Sequence, residues 1–407
     1  MKTNTGILLA LMMLLEYFIW GSWYVTLSTY MKVNLASSDG QIGLTYGALA
    51  VATMISPFFI GMVADRFFPA QRIMGVLHLA GAALLILATK ITNNAVFYWI
   101  VLFYSLLYMP TIALSNSVAF NQMNNPGKQF PWIRVFGTIG WILSGLAIAW
   151  LGIGQTSGTF ILASGVSAVL GILSFFLPQT PPKSKSSDAS ASKALGTEAF
   201  VLFKDKPYLI FFIAAILVCI PLSFYYGFAN LFLSEIGVKE PTAKMIFGQV
   251  SEAVFILAIP FLFYRIGVKK MLLLGIIGWA LRYFAFSFGD TNSGIWLIYA
   301  GIVLHGICYD FFFVTGYMYT EKKAGEKIKN AAQGLFTFAT YGLGMFIGTW
   351  FSGIIADKYT LSTINAVTKK NDHNWQDVWL VPAYIAIAVL IYFILFFREK
   401  RQIQQAA

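Results

Sequence analysis

Seven ionisable side chains lie inside apolar stretches of this sequence, and their chemistry is that of proton exchange and polar ligand binding. They are Glu16, His78, Arg134, Glu252, Arg282, His305 and Asp310. Ionisable groups are costly inside a membrane and usually face a bundle interior or a water-filled cavity. Each of the seven is therefore a candidate for a functional site.

Gln249 and Glu252 are three residues apart, and a helix would place them on one face. An amide beside a carboxylate can bracket a ligand with several hydroxyl groups, because each hydroxyl both donates and accepts hydrogen bonds. An interhelical hydrogen bond is the alternative for this pair. Burial favours the neutral form of a carboxyl group, which makes Glu252 a candidate proton carrier.

Arg134, Thr138 and Trp141 share a second helical face, with spacings of four and three residues. This face offers a cation, a hydroxyl and an aromatic ring. Arg134 has two interpretations. It contacts the substrate or a carboxylate in a cavity, or its side chain extends to the membrane boundary.

Asp310 stands in the aromatic run LHGICYDFFFVTG, residues 304–316. It has two compatible interpretations, as a structural partner of Arg282 and as a proton-coupling group. His305, four residues before Tyr309, is either a helix-packing residue or part of a relay. Glu16 is either a cavity carboxylate or a local hydrogen-bond partner.

The elements that must position these residues are membrane-spanning helices. The 407 residues are 58% hydrophobic and 11% charged, with a mean hydropathy of +0.71. A soluble protein carries about 25% charged residues, so this chain lacks the polar surface of a soluble domain. Because a span needs about 20 apolar residues, we expect an all-α membrane protein with twelve spans. They lie near 6–30, 42–63, 73–92, 95–120, 132–153, 158–177, 208–233, 244–264, 270–289, 294–319, 331–355 and 378–397.

A segment rich in Pro, Ser and Lys divides the expected spans into two groups of six. Such a composition is typical of a solvated linker. We therefore expect an N-terminal six-helix bundle over 1–177, a linker over 178–206, and a C-terminal six-helix bundle with a short tail over 207–407.

The Lys and Arg residues predict which side of the membrane each loop faces. Nineteen of the 28 lie on the side that holds both termini and the linker, and seven lie on the opposite side. Positive residues favour the cytoplasmic side, so we expect both termini and the linker in the cytoplasm. This distribution is a topology signal, and nucleic acid is not an expected partner. The N-terminal apolar stretch lacks a cleavage site, which predicts a retained first helix.

Two six-helix groups joined by a long cytoplasmic loop are the layout of major facilitator transporters, whose substrate site lies between the halves. The loop after the second span, GMVADRFFPAQR, resembles their G-x-x-x-D-R-x-G-R-[RK] signature at Gly61, Asp65 and Arg66. We assign Asp65 and Arg66 a structural or gating role. A second G-x-x-x-D-K pattern, from Gly353 to Lys358, lies on the opposite side, and we treat it as coincidental.

Over nearly its whole length the chain resembles the nucleoside:proton symporter family of the major facilitator superfamily. The resemblance includes IWGSW (19–23), YMPT (108–111), FPWIRVFGTIG (130–140), QVSE (249–252), YDFF (309–312), AAQG (331–334) and NWQDVWL (374–380). It implies that the residues of the two shared faces contact a nucleoside: Arg134, Thr138, Trp141, Gln249 and Glu252. It also implies that Asp310 is protonated together with Glu252.

Four further expected substrate contacts are positions where this chain departs from that family. Its members carry a tyrosine at the position of His305 and a phenylalanine at that of Tyr309. They also carry amide side chains at the positions of Ser223 and Tyr226. Because amides recognise the edges of bases, these replacements bear on which substrate is preferred.

The expected function is proton-coupled import of nucleosides across the bacterial inner membrane by alternating access, in a monomer with no cofactor beyond the proton gradient. The expected partners are a nucleoside, a proton and the lipid bilayer. The alternative is a permease for a sugar, a glycoside or another small polar metabolite. We do not expect an enzyme, because the sequence shows no soluble catalytic domain, metal cluster or nucleophile–base spacing. We do not expect a receptor, because no loop is long enough for an ectodomain.

Overall fold

The structure, a computed structural model, describes residues 3–59, 68–124, 126–181 and 197–398. Most of these residues are helical. In chain order the helices are α1 (Thr3–Trp23), α2 (Leu27–Asn34), α3 (Asp39–Phe59), α4 (Ala70–Ala88), α5 (Asn94–Asn121), α6 (Pro126–Leu151), α7 (Gly158–Ser174), α8 (Lys206–Glu235), α9 (Pro241–Ile266), α10 (Val268–Phe288), α11 (Ile295–Val303), α12 (His305–Tyr309), α13 (Thr315–Thr337), α14 (Met345–Lys358) and α15 (Trp375–Phe396). A short 3-10 helix (Thr197–Lys204) precedes α8, and the antiparallel strands β1 (Thr360–Ile364) and β2 (Asn371–His373) lie between α14 and α15.

Within the described residues, ten helical segments are long and apolar enough to cross a membrane. They correspond to ten of the expected spans. The other two coincide with α3, which has 21 residues, and with α7, which has 17. The expectation of an all-α membrane protein is therefore confirmed, and the count of twelve crossings stays a prediction.

Two of the long helical segments contain π-helical turns. One turn covers Asp310–Val314 and joins α12 to α13, and the other covers Phe338–Gly344 and joins α13 to α14. Such turns are rare and frequently mark functional sites. Gly325 breaks α13 with φ of 63° and ψ of −178°, a conformation that a residue without a Cβ adopts at low cost. This break separates two of the membrane-crossing segments.

The helices before residue 181 pack mainly on one another, and so do those after residue 206. Helix α1 lies along α6, and a Cβ at Gly140 would come within 2.0 Å of the Leu14 carbonyl oxygen. The two groups of helices meet chiefly through α3 with α14 and through α6 with α9. The limits of two bundles at 177 and 207 stay a prediction, because residues 182–196 lie outside the described part of the chain.

Candidate functional site

A cavity lies where α1 and α6 of the first group meet α8 and α9 of the second. Its lining includes Gly21, Trp141, Tyr225, Tyr226, Thr242 and Gln249. The structure thus brings together Trp141, Tyr226 and Gln249, three of the substrate contacts expected from the sequence.

Trp141 and Tyr226 form an aromatic wall of this cavity and belong to a larger cluster of rings from both groups of helices. The Trp141 ring lies 5.5 Å from the Trp20 ring and 6.4 Å from the Tyr24 ring, measured between centres. The Tyr24 ring in turn lies 5.6 Å from the ring of Tyr226. Aromatic faces stack favourably on flat heterocycles. This wall therefore suits a planar ligand.

Arg134 lies beside α1, and its positive charge acts on a residue of the second group of helices. Its guanidinium carbon is 4.1 Å from the centre of the Tyr17 ring, which is a cation–π contact. Its charge also acts on the Glu252 carboxylate of α9. Thr138, one turn further along α6, is half-buried as Arg134 is. The half-buried position of Arg134 and its effect on Glu252 favour the interpretation that Arg134 contacts the substrate or a carboxylate in a cavity.

Glu252, three residues from Gln249 of the cavity lining, begins a line of polar groups that runs into the second group of helices. One of its oxygens, Oε2, lies 3.6 Å from Nε2 of His305, and the Glu252 side chain is 22% exposed whereas that of His305 is fully buried. The other ring nitrogen of His305, Nδ1, accepts a hydrogen bond of 2.9 Å from Nη1 of Arg282. The Arg282 guanidinium lies 3.4 Å from the centre of the Tyr225 ring.

Asp310 is not paired with Arg282, and the expectation of such a pair is wrong. Both carboxylate oxygens of Asp310 are buried, and neither has a hydrogen-bond partner among the described residues. Arg282 is directed to His305 and Tyr225 instead. The charge of Glu252 acts on Asp310 and disfavours a second negative charge there. A buried carboxyl group without a partner costs least when it carries a proton.

Tyr309 and Ser223, both expected substrate contacts, lie in different surroundings. The Tyr309 ring is 5.6 Å from the His305 ring, and its hydroxyl forms a hydrogen bond with that of Tyr341. Ser223 is fully buried and donates to the Cys219 carbonyl oxygen at 2.8 Å. A Cβ at position 348 of α14 would lie 2.3 Å from the Ser223 hydroxyl. The structure therefore places Ser223 in a helix contact, away from the cavity.

Glu16 is a local hydrogen-bond partner within the first group of helices. Its carboxylate accepts a hydrogen bond of 2.6 Å from Thr111 and lies 2.9 Å from Nε2 of His78. The side chain is fully buried. Of the two interpretations of Glu16, the structure shows this one. Asp65 and Arg66 lie outside the described residues.

A second polar centre lies on the far side of the helices, opposite the described chain ends. We call it the far-side cluster, and it consists of Lys32, Asp39, Glu235, His373 and Trp375. Lys32 Nζ lies 2.9 and 2.8 Å from the two Asp39 oxygens. His373 lies between two carboxylates. Its Nε2 is 3.0 Å from Oδ2 of Asp39, and its Nδ1 is 2.7 Å from Oε2 of Glu235. The Trp375 indole donates to Glu235 at 2.9 Å. Since Asp39 belongs to the first group and Glu235 to the second, His373 joins the two groups.

The cluster changes the acid–base behaviour of His373. Burial lowers the pKa of the His373 imidazole, but hydrogen bonds and charge from Asp39 and Glu235 outweigh burial and raise the pKa to about 9. His373 is therefore protonated at neutral pH, and both of its ring nitrogens donate. Two cations, Lys32 and His373, then balance two carboxylates.

The Asp357 carboxylate of α14 lies at the first turn of α3. The backbone N–H groups of Asp39 and Gly40 each donate to Asp357 at 2.7 Å, and a negative charge is favourable at a helix N-terminus. One turn earlier on α14, the Gly353 Cα lies 3.0 Å from where a Gly43 Cβ would be. Gly353 and Asp357 of the second G-x-x-x-D-K pattern thus contact the other group of helices.

Sequence reasoning missed the far-side cluster because its residues lie outside the apolar runs. Asp39 and His373 are at a helix start and in a strand, where charged residues are common and carry little information. A signal was present only in NWQDVWL (374–380), whose Trp375 contacts Glu235.

Apolar helices in two groups around a largely apolar, aromatic cavity define a membrane transport protein of the major facilitator kind. The model of one family, the Nucleoside H+ symporter family, matches residues 1–402, and the chain belongs to that family.

The relatives of this chain cover it almost completely. It is 42% identical over 411 residues to YegT of Escherichia coli (strain K12), with 98% of this chain and 95% of YegT covered. It is 33% identical over 405 residues to the xanthosine permease of the same strain, with 96% and 95% covered. The crystal structure of the nucleoside transporter NupG superposes with a TM-score of 0.88 at 30% identity, covering 98% of this chain and 100% of that one.

Proposed function

We propose that this chain imports nucleosides together with protons across the bacterial inner membrane by alternating access. The position of Glu252 supports the proposal most directly. It is partly exposed, it lies beside His305, and the charge of Arg134 acts on it from the other group of helices. A site between two groups of helices is the arrangement that alternating access requires. The names of the relatives, a nucleoside transporter and a xanthosine permease, agree with this substrate class.

The substrate contacts follow from the chemistry of the cavity. Trp141 and Tyr226 offer aromatic faces to the base, and Gln249 offers an amide to a hydroxyl or a base edge. Arg134 and Thr138 add polar contacts on the same face of α6 as Trp141. The protein works as a monomer in the lipid bilayer, with the proton gradient as its energy source.

Proton coupling resides in Glu252 and Asp310. The Glu252 side chain is 22% exposed and lies three residues from Gln249 of the cavity lining, whereas Asp310 is buried on the π-helical turn, and the charge of Glu252 acts on Asp310. A proton taken up from the outside removes a buried charge and favours substrate binding. Release of the proton and the substrate on the inside then resets the carrier.

The far-side cluster closes the periplasmic side in the conformation described. The excess of Lys and Arg on the side of the termini assigns that side to the cytoplasm and the far side to the periplasm. Asp39, His373 and Glu235 then join the two groups of helices at the outer end. Thr29 and Asn230 add a hydrogen bond of 2.7 Å between the groups. These contacts must break before a substrate can enter from outside.

Gly43→Val is expected to hold the periplasmic side open. A Cβ at Gly43 would lie 2.3 Å from the Thr349 carbonyl oxygen, so α3 and α14 cannot keep their present contact with a valine there. We expect the uptake rate to fall about tenfold or more while the purified protein still binds nucleoside. Initial rates in proteoliposomes and titration calorimetry measure the two quantities.

The matched control for this prediction is Gly165→Val in α7, where a Cβ would meet nothing within 4 Å. This variant should transport as the parent protein does. An uptake rate of Gly43→Val equal to that of the control would contradict the view that α3 and α14 must approach during transport.

Uptake of labelled uridine and adenosine into proteoliposomes, with and without an imposed pH gradient, tests the proposed function. A gradient of one pH unit supports up to about tenfold accumulation when one proton accompanies each substrate. We expect accumulation with the gradient and only equilibration without it. Uptake that ignores the gradient would overturn the coupling. Inhibition by free ribose or hexose but not by nucleosides would replace the proposal with the sugar or glycoside permease.

A further inference from the structure

A buried pair of ionisable side chains, Glu16 of α1 and His78 of α4, lies in the first group of helices and has no part in the proposed proton coupling. Glu16 is 0% exposed and His78 is 2% exposed, and Nε2 of His78 lies 2.9 Å from Oε2 of Glu16. Thr111 of α5 donates to Oε1 of Glu16 at 2.6 Å, and the Ser167 hydroxyl of α7 lies 3.3 Å from Nδ1 of His78. The pair and its two partners therefore join four helices.

The hydrogen bonds of the pair show where its protons lie. Ser167 has one hydroxyl proton and donates it to the His78 carbonyl oxygen at 2.9 Å, so the Ser167 oxygen accepts from Nδ1–H of His78. The contact at Nε2 then needs one proton between this nitrogen and the Glu16 carboxylate, because two lone pairs would repel each other. Whichever atom carries that proton, the pair has no net charge.

The neutral state of the pair is the favourable one inside a membrane. Removal of the shared proton would leave a buried carboxylate beside the lone pair of Nε2. Addition of another proton would leave a buried net positive charge. Both changes are costly where water is excluded, so the pair keeps its shared proton while the carrier works.

The pair fixes a turn of α1 that packs against the cavity wall. The Tyr108 hydroxyl of α5 donates to the Glu16 carbonyl oxygen at 2.6 Å, which adds a second anchor to the same turn. Trp20, four residues after Glu16 and on its helical face, lies 6.1 Å from the Tyr108 ring and 5.5 Å from the Trp141 ring. A Cβ at Gly21 would lie 3.3 Å from the Trp141 ring. A shift of α1 would therefore displace Trp141, which lines the cavity.

The residue after Glu16 contacts another proposed substrate contact. The Tyr17 ring centre lies 4.1 Å from the guanidinium carbon of Arg134. A Cβ at Gly137 would come within 2.6 Å of Nη1 of Arg134 and 2.7 Å of the Tyr17 ring, so both side chains occupy space that a glycine leaves open. A rotation of α1 about its axis would thus move the partners of Arg134 and Trp141 together.

We propose that Glu16 and His78 are positioning residues that hold α1 in the orientation in which its side chains keep Trp141 in place for the substrate. They act through their hydrogen bonds and not by releasing a proton, which separates them from the two carboxyl groups of the proposed coupling. This inference rests on the proposed function, because Trp141 is one of the proposed substrate contacts.

Titration calorimetry of uridine with purified Glu16 variants tests the positioning. In Glu16→Gln an amide N–H replaces the shared proton and donates to a neutral His78, and the amide oxygen still accepts from Thr111. This variant should bind uridine as tightly as the parent protein does. Glu16→Leu removes both contacts and should bind uridine about tenfold more weakly. Thr111→Val keeps the shape of the side chain, removes one contact, and should weaken binding to a smaller extent.

The matched control is Ser164→Ala. Ser164 of α7 donates to the Ala82 carbonyl oxygen of α4 at 2.8 Å, so this variant also removes a buried contact between helices of the first group, but α1 is not involved. Ser164→Ala should lower the melting temperature and leave the affinity for uridine unchanged. An equal loss of affinity in Ser164→Ala and Thr111→Val would overturn the proposal, because general loosening of the helices would explain both.

Accumulation of uridine in proteoliposomes under an imposed pH gradient tests whether the pair keeps its proton. Because an amide has no proton to release, Glu16→Gln should accumulate uridine to the level of the parent protein. Loss of accumulation in Glu16→Gln with binding intact would show that the pair takes part in proton transfer and would overturn the proposal.

The outcomes separate this inference from the proposed function. If the parent protein binds neither uridine nor adenosine, the proposed function fails and the inference with it. If the parent protein binds uridine and both Glu16→Leu and Thr111→Val bind it equally tightly, only the inference is overturned. Weakened binding in Glu16→Gln overturns it as well. A melting curve of each variant checks folding, and Thr111→Val decides the matter where Glu16→Leu does not fold.

Discussion

Glu252→Gln is expected to abolish proton-driven accumulation of nucleosides while exchange across the membrane continues. Glutamine has the shape of a protonated glutamate but cannot release a proton, so the carrier no longer responds to the gradient. The ratio of internal to external uridine should fall to about one, because an uncoupled carrier only equilibrates its substrate. Accumulation under an imposed pH gradient and exchange of labelled for unlabelled uridine measure the two activities in the same proteoliposomes.

Two further variants make the result specific. Glu240→Gln changes an exposed glutamate at the start of the same helix and should leave accumulation unchanged. Asp310→Asn should abolish accumulation too, since Asp310 is buried and its charge is coupled to that of Glu252. Accumulation by Glu252→Gln at the level of the parent protein would remove Glu252 from the coupling mechanism. Accumulation by Asp310→Asn alone would assign the proton to Glu252.

Asp39→Asn is expected to shift the protein strongly toward a conformation that is open on the far side. The Asp39 carboxylate contacts both Lys32 and His373, and its side chain is 1% exposed. Removing one partner of a buried ion pair costs about 3–5 kcal/mol. Because this ion pair exists in the closed conformation, Asp39→Asn destabilises that conformation relative to the open one. Spin labels at Lys90→Cys and Lys239→Cys, two exposed far-side positions in different groups of helices, report the separation. In Asp39→Asn, most molecules should show the longer distance between the two labels.

The same labels should reveal a pH dependence in the parent protein. The pKa of His373 is raised from its usual 6.5 to about 9 in the closed conformation, and an open far side would separate His373 from its partners. A raised pKa stabilises the closed state fully below the usual value, and this contribution is lost as the pH rises through the raised value. The population of the longer distance between the two labels should therefore increase between pH 6.5 and about pH 9.

The control for both far-side measurements is Asp290→Asn, an exposed aspartate whose hydrogen bonds stay within its own loop. It should keep the distances and the pH dependence of the parent protein. Identical distances in Asp39→Asn and Asp290→Asn at neutral pH would show that the cluster does not hold the two groups together.

The shared helical faces are the part of the candidate site that followed from sequence. Gln249 and Glu252 on α9, and Arg134 and Trp141 on α6, were placed together by spacing alone. The structure puts Gln249 and Trp141 in the lining of one cavity, with Arg134 acting on Glu252 from the facing group. Such spacing is reliable because a helix repeats every 3.6 residues whatever surrounds it.

Contacts between helices did not follow from sequence. Arg282 and Asp310 were the obvious opposite charges, yet Arg282 contacts His305 and Tyr225. The π-helical turn that begins at Asp310 shifts the face on which each following residue lies, and no pattern in the sequence announces it. Ser223 was likewise expected to contact the substrate because related proteins carry an amide at its position, whereas it faces α14.

The sequence by itself determined that this is an all-α membrane protein and which residues share a helical face. It also determined the family, because motifs specific to that family recur from residue 19 to residue 380. Only the tertiary structure decided which faces meet, as when His373 joins Asp39 to Glu235 across 334 and 138 residues of chain. The physical reason is that helical periodicity is local, whereas the pairing of buried charges depends on how entire helices pack, and that packing is set by all their side chains together.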